Sequence, residues 1–179
     1  MWERSVRDVV REAQAGRAEA FEVLVEQFGP QVYRLASAIV GPDDARDVAQ
    51  ETFIAAWREL PRLREPDRFE PWLRRILVNR SRNVLRSRQR RPAVSLDLPG
   101  ATDGLAGESD FREAAHARQV LEGAFGGLSA EQRSVVVLHY GADLSIRDAA
   151  EAMGVAVGTA KSRLNAALRR LRVAVEGQR

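Results

Sequence analysis

The chain has 179 residues, 45% of them apolar and 30% charged, a balance that predicts a soluble globular protein and excludes a disordered one. Cysteine is absent and only His116 and His139 carry imidazole, which excludes disulfides, a cysteine nucleophile and multi-histidine metal centres. The formal charge of +3 hides a strong bias: of 28 basic residues every one but Lys161 is arginine, whose planar fork suits phosphate and guanine edges.

No apolar run approaches the roughly 20 residues of a membrane span, and no signal peptide is visible, so a cytoplasmic location without membrane insertion is expected. Periodicity predicts helices at about 3–15, 18–28, 30–40, 43–60, 69–90, 110–125, 129–140, 145–153 and 157–175, with breaks at Pro30, Pro42 and Pro61. Strand-type alternation is nearly absent, so the expected fold class is all-α. Charge divides the chain further. Arg62 to Arg91 holds eleven arginines against three acids, and Leu144 onward carries an excess of four positive charges. Between them, Val94 to Asp110 has four acids, three glycines and no basic residue, the composition of a flexible acidic linker. Two small helical domains, 1–91 and 111–179, joined by a linker over 92–110, are therefore expected.

Along the predicted helix 43–60, Ala45, Ala49, Thr52, Phe53, Ala56 and Leu60 share a core-facing side. Asp47, Gln50, Glu51, Ile54 and Arg58 gather opposite, where a solvated face and a protein-binding stripe are both open readings; Ile54 among polar groups favours the second. The helix 69–90 buries Leu73, Leu77, Val84 and Leu85. Its other face gathers Arg75, Asn79, Arg82, Asn83, Arg86, Gln89 and Arg90, with Trp72 and Ile76 beside them. Arginine interleaved with amides serves both phosphate and base-edge contact. The preceding loop adds Arg62, Arg64 and Arg68, and Phe69 and Trp72 would suit an unstacked base or, equally, plain core packing.

Near the end, Ser145 caps a short helix in which Ile146, Ala149, Ala150 and Met153 point inward, and Gly154 stops it. After a brief turn the next helix opens with Thr159, Lys161, Ser162, Arg163 and Asn165, the layout of a helix-turn-helix whose second helix enters the major groove. Ser129 with Gln132 forms a further capping box.

These segments resemble the sigma-70 family, extracytoplasmic-function (ECF) subgroup, over about Ala18 to Arg172. Asp43 to Arg58 is similar to the family's region 2.2, with its Asp-x-x-Gln-Glu-x-Phe-x-x-x-Trp pattern. Phe69 to Ile76 with Asn79 resembles the −10-reading and melting segment, and Ser129 to Arg133 with Leu144 to Leu171 resembles region 4. The resemblance implies a sigma factor that joins core RNA polymerase, through the β′ coiled coil and the β flap, and directs promoter-specific initiation. It implies polymerase binding by Asp47, Gln50, Glu51 and Ile54. It places the −10 element on Arg62, Arg64, Arg68, Phe69, Trp72, Arg75, Asn79, Arg82 and Asn83. The −35 element falls to Thr159, Lys161, Ser162, Arg163 and Asn165, with Arg133 from an earlier helix. An anti-sigma partner is implied as well. Ala156 stands where relatives often cap the recognition helix with Ser, Ala166 where some carry Arg, and Ser129 replaces a frequent Pro. Neither region 1.1 nor a full region 3 is expected.

Two other classes compete. A stand-alone helix-turn-helix regulator would need no arginine-rich face in the first module and would bind a palindrome as a dimer. An enzyme would need a site, and the paired Asp43 and Asp44 are explained by the helix dipole. No catalytic residue, cofactor or metal is expected.

Overall fold

The computed structural model describes residues 5–90 and 123–177. The expected linker over 92–110, the expected helix from 110 as far as residue 122, and the side chains of Gln89 and Arg90 lie outside the described residues. The described elements are helical throughout: α1 Val6–Gln14, α2 Ala18–Val40, α3 Pro42–Glu59, α4 Phe69–Arg90, α5 Ala130–Val136, α6 Ile146–Met153 and α7 Val157–Glu176. Two 3-10 turns, Leu60–Arg62 and Pro66–Arg68, carry the chain from α3 to α4.

Capping chemistry sets most of the boundaries. Ser5 Oγ accepts the Asp8 N–H at 3.2 Å and opens α1, which buries Val9, Val10 and Ala13. Gly41, at φ 92°, takes a backbone conformation other residues resist, and Pro42 follows at the first helical position of α3. Asp43 and Asp44 then sit on the positive end of the helix dipole. The Ser129 capping box is complete: its Oγ accepts from Gln132 N and the Gln132 amide oxygen accepts from Ser129 N. At Ser145 only half forms, since the Asp148 carboxylate accepts from Ser145 Oγ at 2.6 Å instead.

The structure corrects the expected break at Pro30, because α2 runs unbroken through it. Proline removes one helical hydrogen bond and crowds the residue before it, chiefly through that residue's Cβ. Here that residue is Gly29, which has none. The stripe Leu24, Phe28, Val32, Leu35 and Ile39 is buried on both sides of the proline and holds the two halves in line. The helix predicted over 129–140 also differs: α5 ends at Val136 and continues as a π-turn, Val137–Gly141, in which Ala142 N donates to the Val137 carbonyl.

Two apolar clusters form. The first joins α1, α2, α3 and the start of α4 around Leu24, Phe28, Ile39, Phe69, Leu73 and Leu77. The second joins α5, α6 and α7 around Leu138, Met153, Ala160 and Leu164. They share a border: Val78 of α4 belongs to the second cluster, while Ala130 and Val137 belong to the first.

Candidate polymerase and promoter interfaces

On α3 the wheel reading holds in part: of its core-facing residues Ala45, Thr52, Ala56 and Leu60 are buried while Ala49 and Phe53 are half-buried, and Val48 and Ala55, not assigned to that side, are buried as well. Thr52 Oγ1 donates to the Val48 carbonyl at 2.7 Å, which satisfies the buried hydroxyl. Asp47, Gln50, Glu51, Ile54 and Arg58 are all exposed on the opposite side. Ile54 keeps 43% of its surface in contact with solvent, and Trp57, one turn on, keeps 39% while its ring lies 4.9 Å from that of Phe21. Trp57 extends the stripe and was not singled out as a site residue from sequence, although its spacing of three from Ile54 was available as the signal.

The loop between α3 and α4 is pinned from α1. Gln14 Nε2 donates to the carbonyls of Leu60 (3.0 Å) and Leu63 (2.7 Å), fixing the segment that presents Arg62, Arg64 and Arg68 to solvent. Arg7 adds an ion pair to Asp67 at 3.4 Å. Neither Gln14 nor Arg7 carries a sequence signal, since the contact spans most of a module. The loop and the start of α4 enclose an open cavity of about 270 Å³, lined by Leu63, Arg64, Glu65, Arg68, Pro71, Trp72 and Arg75, together with Glu151 of α6.

Phe69 and Trp72 separate here. Phe69 is wholly buried, its ring 5.3 Å from Phe28 and 5.8 Å from Trp72, so it supports the cavity wall from behind. Trp72 is half-buried and faces the cavity. Arg75, Asn79, Asn83 and Arg86 form an exposed line on α4, and Ile76, expected beside them, is buried. Arg82 is turned inward: Nη1 donates to the Met153 carbonyl at 3.2 Å and Nη2 to Glu131 at 3.5 Å. Arg88 pairs with Asp44 and donates to the Val40 carbonyl, tying α4 to the α2–α3 corner.

In the last two helices Gly154 adopts the left-handed conformation (φ 64°, ψ 38°) and ends α6 as its position predicts. Ala149, Ala150 and Met153 are buried and Ile146 is half-buried. Ala156 begins α7 with no side-chain cap. Lys161, Ser162 and Asn165 are exposed, and Thr159 and Arg163 are half-buried. Ser162 Oγ donates to the Thr159 carbonyl at 2.9 Å. Arg133 is not on this surface. It lies over the Phe125 ring and donates to the carbonyls of Ile39 (3.1 Å) and Gly126 (3.0 Å); burial, with Arg88 nearby, lowers its pKa. Beside α7 a shallow groove of about 430 Å³ runs past Gln132, Ala166, Arg169, Arg170 and Val173, and Val173 is 68% exposed. Among the described residues no helix is long and apolar enough to cross a membrane.

An all-helical chain with a polar docking stripe, an arginine-lined cavity and a helix-turn-helix has the parts of a transcription-initiation factor, and comparison with known proteins agrees. The family model for sigma-70 region 2 matches residues 24–91 and that for sigma-70 region 4 matches 118–171. The chain belongs to the sigma-70 family, in its ECF group, and is a promoter-directing RNA polymerase sigma factor. It is 31% identical to the ECF RNA polymerase sigma-E factor of Escherichia coli K12 over 165 residues, covering 87% of this chain and 86% of that one. The sigma-E factor of Haemophilus influenzae is 28% identical over 87% of each. Among solved structures it is similar to CnrH in complex with the cytosolic domain of CnrY, with a TM-score of 0.67 at 28% identity over 97% and 99% of the two chains. It is also similar to RpoE of Bartonella quintana in complex with the anti-sigma factor NepR, with a TM-score of 0.64 at 26% identity over 90% and 100%.

Proposed function

We propose that the division of labour within this sigma factor follows its three surfaces. The α3 stripe of Asp47, Gln50, Glu51, Ile54 and Trp57 docks on the polymerase β′ coiled coil. An apolar pair among hydrogen-bonding groups on one rigid helix is what a specific helix-on-helix contact requires. The groove beside α7, with Val173 at its rim, is the surface that remains for the β flap. Domains 1–91 and 111–179 divide the promoter between them. The site of action is the cytoplasm, and the role is non-catalytic.

The observation that carries the −10 reading is the cavity beside Trp72. Its arginines supply charge for a displaced strand, and the half-buried indole supplies a face on which a flipped base can stack. Arg62, Arg64, Arg68, Arg75, Asn79, Arg82 and Asn83 surround the path of that strand, and Phe69 acts from behind Trp72 and not as a contact. Lys161, Arg163 and Asn165 on the first turns of α7 read the −35 element, with Thr159 and Ser162 holding the backbone. Both similar structures are complexes with a second protein, which supports an anti-sigma partner for this chain too. A stand-alone regulator leaves the cavity and the arginine face without a purpose.

Run-off transcription with core polymerase tests this. The wild-type chain is expected to give promoter-specific transcripts, and Trp72→Ala to retain polymerase binding while losing strand opening. Full opening by Trp72→Ala would reject the cavity as the base site.

A further inference from the structure

The solvent face of α7 is sorted by chemistry as well as by exposure. Ala160, Leu164 and Ala167 are buried in the cluster that α7 shares with α5 and α6, which fixes how the helix is rotated. On the turns that follow Val157 this leaves Lys161, Ser162 and Asn165 exposed, with Thr159 and Arg163 half-buried. Lys161 and Asn165 stand four positions apart and so share one face, about 6 Å from each other along the axis. Among the described residues neither side chain has a hydrogen-bond or ion-pair partner.

The fold does not account for Asn165. Asparagine is disfavoured inside a helix because its amide competes for backbone hydrogen bonds, and here it lies in the middle of α7 and caps neither end. A rigid, unpartnered amide on the face next to Lys161 has its use outside the chain. We propose that Asn165 reads an adenine within the −35 element and so sets one base of this factor's promoter preference. The proposal rests on the −35 reading of α7 above.

Hydrogen-bond pattern selects the base. A side-chain amide offers an acceptor and a donor side by side in one plane. In the major groove adenine presents N7 as an acceptor beside its N6 amino donor. Guanine presents two acceptors, cytosine a donor alone, and thymine an acceptor with a methyl group. Adenine is therefore the one base whose own edge meets both halves of the amide. The neighbours of Asn165 lack this selectivity. Lys161 has donors and no acceptor, so it serves guanine and phosphate alike. Ser162 donates to the Thr159 carbonyl at 2.9 Å, and a hydroxyl that rotates pairs with donor and acceptor edges alike. Ala166 is half-buried and has no polar side-chain atom. With bases spaced about 3.4 Å apart, the Lys161 contact falls within about two base steps of the adenine.

The test is run-off transcription by the full chain with core polymerase, on promoters that carry each base in turn at every −35 position. The wild-type chain is expected to favour adenine at one position by about tenfold or more. Asn165→Ala is expected to lose that preference and keep those at the other positions. Alanine is the better helix former, so the substitution does not endanger the helix. Asn165→Arg, whose fork pairs with guanine O6 and N7, is expected to move the preference at that position from adenine to guanine. Lys161→Ala is expected to leave the adenine preference in place. The proposal is overturned if Asn165→Ala leaves every preference intact, removes a preference for another base, or lowers transcription evenly across all sequences as a phosphate contact does. A wild-type chain indifferent to every base of the element instead defeats the −35 reading, and the adenine assignment with it.

Discussion

Two faces of the first module lie within one bundle yet stand in opposite states. On α3 the docking stripe is open, with Ile54 and Trp57 exposed at 43% and 39% among free polar groups. On α4 and the loop before it, Arg68 and Arg82 are engaged by Glu151, Glu131 and the Met153 carbonyl of the second module. The open face is mixed polar and apolar, and solvent does not compete strongly for its apolar part. The second face is cationic, and since phosphate contact carries no sequence information its arginines set affinity while the exposed amides of Asn79 and Asn83 are left to set preference.

The contrast can be broken at its base. Phe69→Ala removes the ring that backs Trp72 and fills the space beside Phe28, and is expected to cost about 3–5 kcal/mol of stability. Thermal unfolding should show it, and both faces should fail together. A change under about 1 kcal/mol would mean that the cavity wall does not depend on the core in the way described.

Acting on the open face alone, Gln50→Ala with Glu51→Lys is expected to weaken core-polymerase binding by about 2 kcal/mol or more, as for a central contact of an interface. Circular dichroism should be unchanged. Unaltered affinity would show that the stripe is merely solvated. On the second module, Lys161→Ala and Arg163→Ala should each cost about 1–3 kcal/mol with relaxed preference at one base if they touch base edges. A residue that touches only phosphate should instead lower binding uniformly and reduce the salt dependence. A promoter panel at two salt concentrations separates these cases, and no effect from either substitution would remove α7 from the groove.

Gln14→Leu sharpens the comparison more gently. It withdraws two hydrogen bonds from the Leu60 and Leu63 carbonyls, for an expected loss of about 1–2 kcal/mol. Promoter opening should suffer while polymerase affinity holds, because the loop and not α3 loses its anchor. Equal loss of both would make Gln14 a purely structural residue.

The smallest effect concerns acid. Burial alone would raise the pKa of Glu131, but the Arg86 hydrogen bond, its own backbone amide and the charges of Arg86 and Arg82 hold it at about 2, against 4.5 ordinarily. A depressed carboxylate pKa means that the folded chain, with Glu131 paired to Arg82 and Arg86, binds fewer protons than the unfolded one. The contribution of Glu131 is whole above about 4.5 and is lost as pH falls toward 2. Thermal stability should therefore begin to fall between about pH 5 and pH 3, and the Glu131→Gln variant should lack that component. Identical curves would assign the transition to another group.

Much of this arrangement was legible in the sequence. The two sides of α3, the helix-turn-helix with its Gly154 stop and the Ser129 cap all follow from local pattern, and local pattern is what periodicity and capping encode. What the sequence left out shares a different cause. Pro30 signalled a break, but the buried stripe on either side and Gly29 before it outweighed the local preference. Phe69 and Trp72 were treated alike because a helical wheel gives direction about an axis and not what covers each direction; Phe28 covers one and leaves the other. Arg82 and Arg133 were assigned to DNA by the family resemblance, Arg82 also by its place on the arginine-rich face of α4. Besides the nearby Gly126 carbonyl, their partners are carbonyls and a carboxylate 49 to 94 positions away, which no window of sequence can reveal. The reach of an arginine side chain lets it serve two partners in two states, and sequence records only the side chain.

The account turns on the claim that the cavity beside Trp72 is where the displaced −10 strand is held. The direct measurement is the affinity of a fluorescent single-stranded −10 oligonucleotide for the full chain with core polymerase, at two salt concentrations. Trp72→Ala subtracts binding elsewhere. The account predicts Trp72-dependent binding that weakens as salt rises. Equal affinity for the wild-type chain and Trp72→Ala would contradict it.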